Sequence, residues 1–361
     1  MVFDHKHYVP CLQWKQGEYM AIAALSAASR ERVTPLIEVP EIGFDFETRS
    51  YKKTLDEHIK PFGKRVADKW GRPCLVDLIH IPAKKVMANG AHPVTSVFDE
   101  LRTRKCSATP VTGIARDSTY QRAIDRVIST DNRGVCIRVT LAEVAKPDLI
   151  TILNSLMKQL KVSPNQCDFI IDLGAPNFEP LDGFTKLVHA LLTRLPYQDR
   201  WKTITIMGTS FPETMAEVKS SPALLPRWEW LLYKGIAAKL AKQGVRIPTF
   251  GDYGINHKDV PRVDMRLVRP SATIRYTIDD KWFIVKGPNV RDHGFEQYRN
   301  HCRTLATSPY FRGSGFSMGD AYIRNCSLGK EKTGNLSTWR KVGTNQHLEK
   351  VVQDIANLFG P

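Results

Sequence analysis

Residues 134–140 read GVCIRVT and residues 168–173 read DFIIDL, two short apolar, β-branched runs with an amphipathic helical stretch near 147–160 between them. Strands apolar on both pleat faces belong to a parallel sheet covered by helices, and a strand–helix–strand order is how such a sheet is wired. Working outward, the unit recurs. Toward the N-terminus stand 109–114 (TPVTGI), 73–79 (PCLVDLI), 33–40 (VTPLIEVP) and 8–14 (YVPCLQW); toward the C-terminus stand 201–207 (WKTITIM) and 247–252 (IPTFGD). Helices are predicted over 18–30, within 48–70, near 94–104, 118–129 and 182–195, and over 228–243, with a short one beginning in 212–218. Eight strands in about 250 residues predict an α/β fold, a closed (β/α)8 TIM-like barrel over residues 1–255. The structural alternative is an open doubly wound sheet, whose marker, a glycine-rich turn after the first strand, is not in this sequence.

Past residue 253 the pattern changes. Residues 273–287 (TIRYTIDDKWFIVKG) alternate about an Asp-Asp turn and predict a β-hairpin. A helix near 294–306, a Gly/Ser-rich loop over 312–319 and a last helix over 346–359 complete an α+β appendage, residues 256–361, expected to pack on the barrel.

With 42% hydrophobic and 25% charged residues, the 361-residue chain has the material for a large core and is unlike a disordered one. Its formal charge is +15, and the appendage alone carries 17 Lys/Arg against 10 Asp/Glu. Such a balance points to anionic partners: nucleic acid, nucleotides or an acidic protein. No apolar run reaches a membrane span and residues 1–8 lack an apolar signal core, so a cytoplasmic protein that does not enter membranes is expected. Seven cysteines at 11, 74, 106, 136, 167, 302 and 326, with no CxxC pair, are expected to be reduced packing residues.

A (β/α)-barrel does its chemistry at the C-terminal ends of its strands. Glu38, Asp77, Arg138, Asp172 and Asp252 each end an apolar run; Lys15 and Glu18 follow the first strand, Ser210 the seventh and Tyr253 the eighth. A charge beside apolar strand residues must find a counter-charge, a cation, water or a ligand. Glu38, Asp77, Asp172 and Asp252 are therefore candidate ligands for Mg²⁺ or Mn²⁺, which prefer oxygen, and Lys15 and Arg138 candidate holders of a phosphate or carboxylate. The alternative is a buried ion-pair network that closes the top of the barrel. His80 and His257 are possible ligands or ordinary surface. A second cluster of candidate binding residues lies in the appendage: Arg275 and Tyr276 on the hairpin, Ser317 and Asp320 in FSMGD, Trp339 and Arg340 in STWRK, and Asn345 and His347 in TNQH. Read as turn-rich sequence, these suit phosphate contact with base stacking; alternatively Trp282 and Trp339 only anchor the appendage.

At YVPCLQWKQGEYMAI, TPLIEVP, GDYG, IRYTIDDKW and FSMGD…STWRKVGTNQH the sequence resembles the phage and bacterial beta protein family of satellite prophages and defence islands, over most of its length. The resemblance implies a partner of a toxic gene product, restraining or regulating it in antiphage defence. The residues themselves leave a second class open, a metal-dependent phosphoesterase or nuclease in which the four carboxylates hold the ion and Lys15 or Arg138 stabilises phosphoryl charge.

Overall fold

The computed structural model describes residues 2–259, 264 and 266–360. Eight parallel strands close a barrel: β1 (Tyr8–Leu12), β2 (Leu36–Glu38), β3 (Cys74–Asp77), β4 (Ala108–Thr112), β5 (Val135–Thr140), β6 (Cys167–Asp172), β7 (Thr203–Gly208) and, after one strand outside it, β9 (Thr249–Asp252), which pairs with β7 and β1. Six helices follow the first six strands round the outside: α1 (Gln16–Ala23), α2 (Phe62–Lys69), α3 (Pro93–Thr103), α4 (Ser118–Asp131), α5 (Leu149–Gln159) and α6 (Leu181–Thr193); α7 (Trp228–Lys242) follows β7. The closed barrel is the fold the alternating units predict, and the open sheet is excluded by the pairing of β1 with both β2 and β9.

The appendage is an antiparallel hairpin, β10 (Ser271–Thr277) and β11 (Lys281–Asn289), under three helices, α8 (Gln297–Ala306), α9 (Met318–Ser327) and α10 (Leu336–Phe359). Its core holds Tyr276, Phe283, Tyr298, Ile323 and Trp339. The chain does not divide cleanly at residues 255 and 256. The strand β8 (Ala223–Pro226), from the connection between β7 and α7, leaves the barrel and pairs antiparallel with β11.

Helix α10 crosses the division in the other direction. Among the described residues no helix stands between β9 and the hairpin; α10 packs on α1 and supplies the missing cover. Its first half buries Trp339 and Val342 in the appendage core, and its second half buries Leu348, Val351, Val352 and Ile355 in the barrel core. Near the middle, Glu349 accepts bonds from the Ser26 backbone N–H (2.6 Å) and hydroxyl (3.1 Å) at the start of the short helix Ala27–Glu31. The barrel thus borrows its eighth helix from the end of the chain.

This helix is longer than the sequence suggests. The predicted start at 346 is in fact its midpoint, and STWRK and TNQH are helical rather than turns. The N-terminus is set by Asn335, whose side chain accepts from the Thr338 N–H while Thr338 Oγ1 accepts from the Asn335 N–H. Buried on nearly every side from Val342 to Val352, α10 has no polar stripe from which its period could be read.

All seven cysteines are free and buried, as their spacing predicts. Among the described residues no helix is long and apolar enough to cross a membrane.

Candidate functional site

Register places the barrel charges at one level. Glu38 stands opposite Asp77 in the β2–β3 ladder and Thr140 opposite Asp172 in the β5–β6 ladder, so the strand ends point their side chains into one ring at the mouth. At its centre is Arg138. Its Nη1 donates to Glu38 (2.8 Å) and Asp77 (3.0 Å), its Nε and Nη2 to Asp172 (3.0 and 2.8 Å), and its Nη2 also to the Tyr253 hydroxyl (2.8 Å). The hydroxyl itself donates a hydrogen bond to Asp172 (2.7 Å).

The remaining carboxylate oxygens are partnered too. Asp77 Oδ1 accepts from Arg116 (2.7 Å), Asp172 Oδ1 from the Gly174 N–H (2.9 Å), and His80 Nε2 lies 2.8 Å from Glu38 Oε2. Burial by itself would raise the Glu38 pKa, but the Arg138 charge and the contact with His80 more than offset it and bring it to about 2.

The four-carboxylate metal site expected from the sequence is therefore not what the strands build. Three of its members are spent on a guanidinium occupying the point where an ion would sit. The fourth, Asp252, faces elsewhere: it accepts from the Gly254 N–H (2.9 Å) and the Tyr8 hydroxyl, and His347 Nε2 is 2.9 Å from its other oxygen. Among the described residues no group of three His, Cys, Asp or Glu side chains is disposed to hold a metal. Mg²⁺ or Mn²⁺ does not fit this donor set. The mouth is the buried ion-pair network that was the alternative reading. Arg116, its missing member, follows a strand that ends in Thr-Gly, and no polar strand end announced it.

The appendage candidates separate into two groups. Asn345 accepts from the Gly319 N–H (3.0 Å) and donates to the Ala21 carbonyl (3.1 Å), tying α9 to α1 through α10. Gln346 accepts from the N–H of Thr277 (2.8 Å) and donates to its carbonyl (2.7 Å). His347 bridges Asp252 and the Thr277 hydroxyl (2.8 Å). Asp320 accepts a hydrogen bond from the Tyr276 hydroxyl (2.6 Å) and another from Ser317, the cap of α9. Trp339 stacks on Tyr298 at 4.3 Å and donates to the Thr333 carbonyl (2.8 Å). Ser210 donates to Glu229 (2.6 Å). Asn345 and His347 stitch the two parts of the chain together, Asp320, Ser317 and Tyr276 hold the appendage to itself, and Ser210 is bound within the barrel part; for these residues the expectation that they bind a ligand is corrected, whereas Trp339, though buried, also lines the cavity described next. Among the described residues the His257 ring hydrogen-bonds the Asp259 backbone and joins no cluster.

The second group is open. Arg275 and Arg340 line a cavity of about 610 Å³ between the hairpin, α10 and the connection after β7. Lys15 and Glu18 lie beside it, on the turn into α1. Lys15 is exposed and donates to Gln13 (2.8 Å); Glu18 is buried and accepts from Asn256 (2.7 Å). Burial raises the Glu18 pKa, against the opposing pull of Arg340 and Lys15.

The Beta protein family model matches residues 8–353. The chain belongs to the Beta protein family. Among curated proteins none matches. Solved structures similar to this family member include triosephosphate isomerase from Bartonella henselae, with 12% identity over 68% of this chain and 92% of that one and a TM-score of 0.34. The YdjI aldolase from Escherichia coli K12 is 10% identical over 99% of this chain and 92% of that one, with a TM-score of 0.36.

Proposed function

We propose that this Beta protein family member acts as a binding partner, restraining or regulating a cognate toxin in antiphage defence, rather than as a phosphoesterase or nuclease. The observation that carries the choice between the two classes is the state of the barrel mouth. Three carboxylates, two arginines and a tyrosine there satisfy one another, so the place where a barrel keeps its reactive groups is occupied by a structural network. A toxin as the partner is what the family resemblance implies. The charge of +15 supports an acidic protein surface or nucleic acid on the other side of the contact.

Co-expression with the toxic product of the neighbouring gene tests the reading. Relief of killing is the expected result; undiminished killing with both proteins soluble contradicts it. Purified protein incubated with Mn²⁺ and a nuclease or phosphodiesterase substrate is expected to release no product.

A further inference from the structure

The guanidinium groups of Arg275 and Arg340 share the cavity beside the barrel mouth, and among the described residues no carboxylate answers either one directly. Arg275, on β10, donates from Nη1 to the Ile255 carbonyl (2.8 Å) and lies over the Phe211 ring at 4.9 Å. Arg340, on α10, makes no hydrogen bond or ion pair with any described residue. Glu18 is the acid whose charge reaches Arg340, and it stands outside ion-pair distance. Burial first, and the neighbouring Arg340 charge second, hold the Arg275 pKa well below its ordinary value. Holding two like charges side by side in half-buried positions is costly unless an anion completes the set.

The backbone is shaped to keep both groups there. A Cβ on Gly17 would lie 2.5 Å from Arg340 Cγ, so only glycine lets the arginine stem lie on the turn into α1. A Cβ on Gly343 would lie 2.9 Å from the Arg275 carbonyl, so glycine also lets α10 approach β10 closely enough to pair the two arginines. Lys286 and Arg269 add two further cations to the lining, Arg269 being paired with Asp292 (2.9 Å). The Lys286 ammonium donates to the Met215 (2.8 Å) and Val218 (2.9 Å) carbonyls, which leaves one proton free. The lining also carries the hydroxyls of Thr214 and Thr273, and one carboxylate, Glu213, on its exposed rim.

The geometry points to a binding site for a phosphorylated small molecule of about nucleotide size, its phosphoryl oxygens held between Arg275 and Arg340. A planar guanidinium pairs with two phosphate oxygens at once, and two of them facing one space suit a multiply charged tetrahedral group better than a single carboxylate. The volume lies within the roughly 300–1,000 Å³ of small-ligand pockets. Elements of the barrel and of the appendage both line it, so a bound ligand bridges the two. The site is independent of the toxin reading, and either can fail without the other.

Calorimetric titration of the full chain with pyrophosphate, with AMP and with succinate tests the proposal. Pyrophosphate or AMP binds and succinate does not; Arg340→Gln and Arg275→Gln each weaken binding roughly tenfold or more, in line with losing one charged hydrogen-bonding partner. Arg133→Gln, on the opposite end of the barrel, leaves affinity unchanged. Should either cavity variant fail to fold, phenylglyoxal labelling of wild-type Arg340, mapped by peptide mass, keeps the test open, because AMP is expected to protect that residue. No binding of either phosphate compound at millimolar concentration, equal binding of succinate, or unprotected labelling of Arg340 overturns the assignment.

Discussion

At the barrel mouth two arginines meet three carboxylates; in the cavity next to it Arg275 and Arg340 meet none among the described residues. Both places gather charged side chains from distant parts of the chain and both lie against apolar walls. At the mouth the donors and acceptors close on one another, with Arg138, Arg116, Tyr253, His80 and Gly174 covering all six carboxylate oxygens. In the cavity Arg275 and Arg340 keep donors free. A charged residue at a strand end is thus weak evidence for a ligand until its counter-charges are counted, because burial selects for pairing whether the purpose is closure or binding.

The comparison breaks most visibly at Arg138. Arg138→Leu leaves Glu38, Asp77 and Asp172 buried with their central partner gone, and is expected to cost about 3–5 kcal/mol of unfolding free energy in urea. A loss below 1 kcal/mol would mean that the mouth is wet and open. Arg340→Leu, by contrast, removes a charge without a partner and is expected to leave stability in ligand-free buffer unchanged or raised.

Two carboxyls give opposite pH signatures. Glu38 has a folded pKa of about 2, below its ordinary 4.5, so its contribution is fully present above about 4.5 and is lost as the pH falls toward 2. By the linkage relation this is roughly 3 kcal/mol, and Glu38→Gln should flatten that acid limb of the stability profile. Glu229 is pushed up to about 7, chiefly by burial, so its neutral form is favoured in the folded state. Its contribution is full below about 4.5 and disappears as the pH rises through 7. Glu229→Gln is therefore expected to raise the melting temperature at pH 8 and to change little at pH 5; equal effects at both would contradict the assignment.

A smaller loss than at Arg138 is expected at the rim of the network. Arg116 is partly exposed and shares Asp77 with Arg138, so Arg116→Ala should cost about 1–3 kcal/mol, less than Arg138→Leu.

The sequence made the barrel legible because parallel strands covered on both faces have no polar alternation, and VTPLIEVP, GVCIRVT and DFIIDL cannot be placed anywhere but inside. It also led to the mouth residues, since Glu38, Asp77, Arg138 and Asp172 end those runs. It was silent on whether they bind a ligand or one another, which depends on register between strands far apart in the chain. The second half of the site was misread for a different reason. Helix α10 is gripped by α1, α9 and the hairpin at once, and Gly343, Asn345, Gln346 and His347 look like loop residues only because their polar groups bond other elements rather than water. The capping pair Asn335 and Thr338 was the local signal of where that helix begins. Strand β8 left no such signal, its pairing with β11 being a tertiary event.

Diffraction from a crystal soaked in tungstate, a heavy tetrahedral oxyanion, addresses the contrast between the two places directly. Anomalous density between the Arg275 and Arg340 guanidinium groups, with none against Arg138, is the predicted result; density at the barrel mouth with an empty cavity would contradict it.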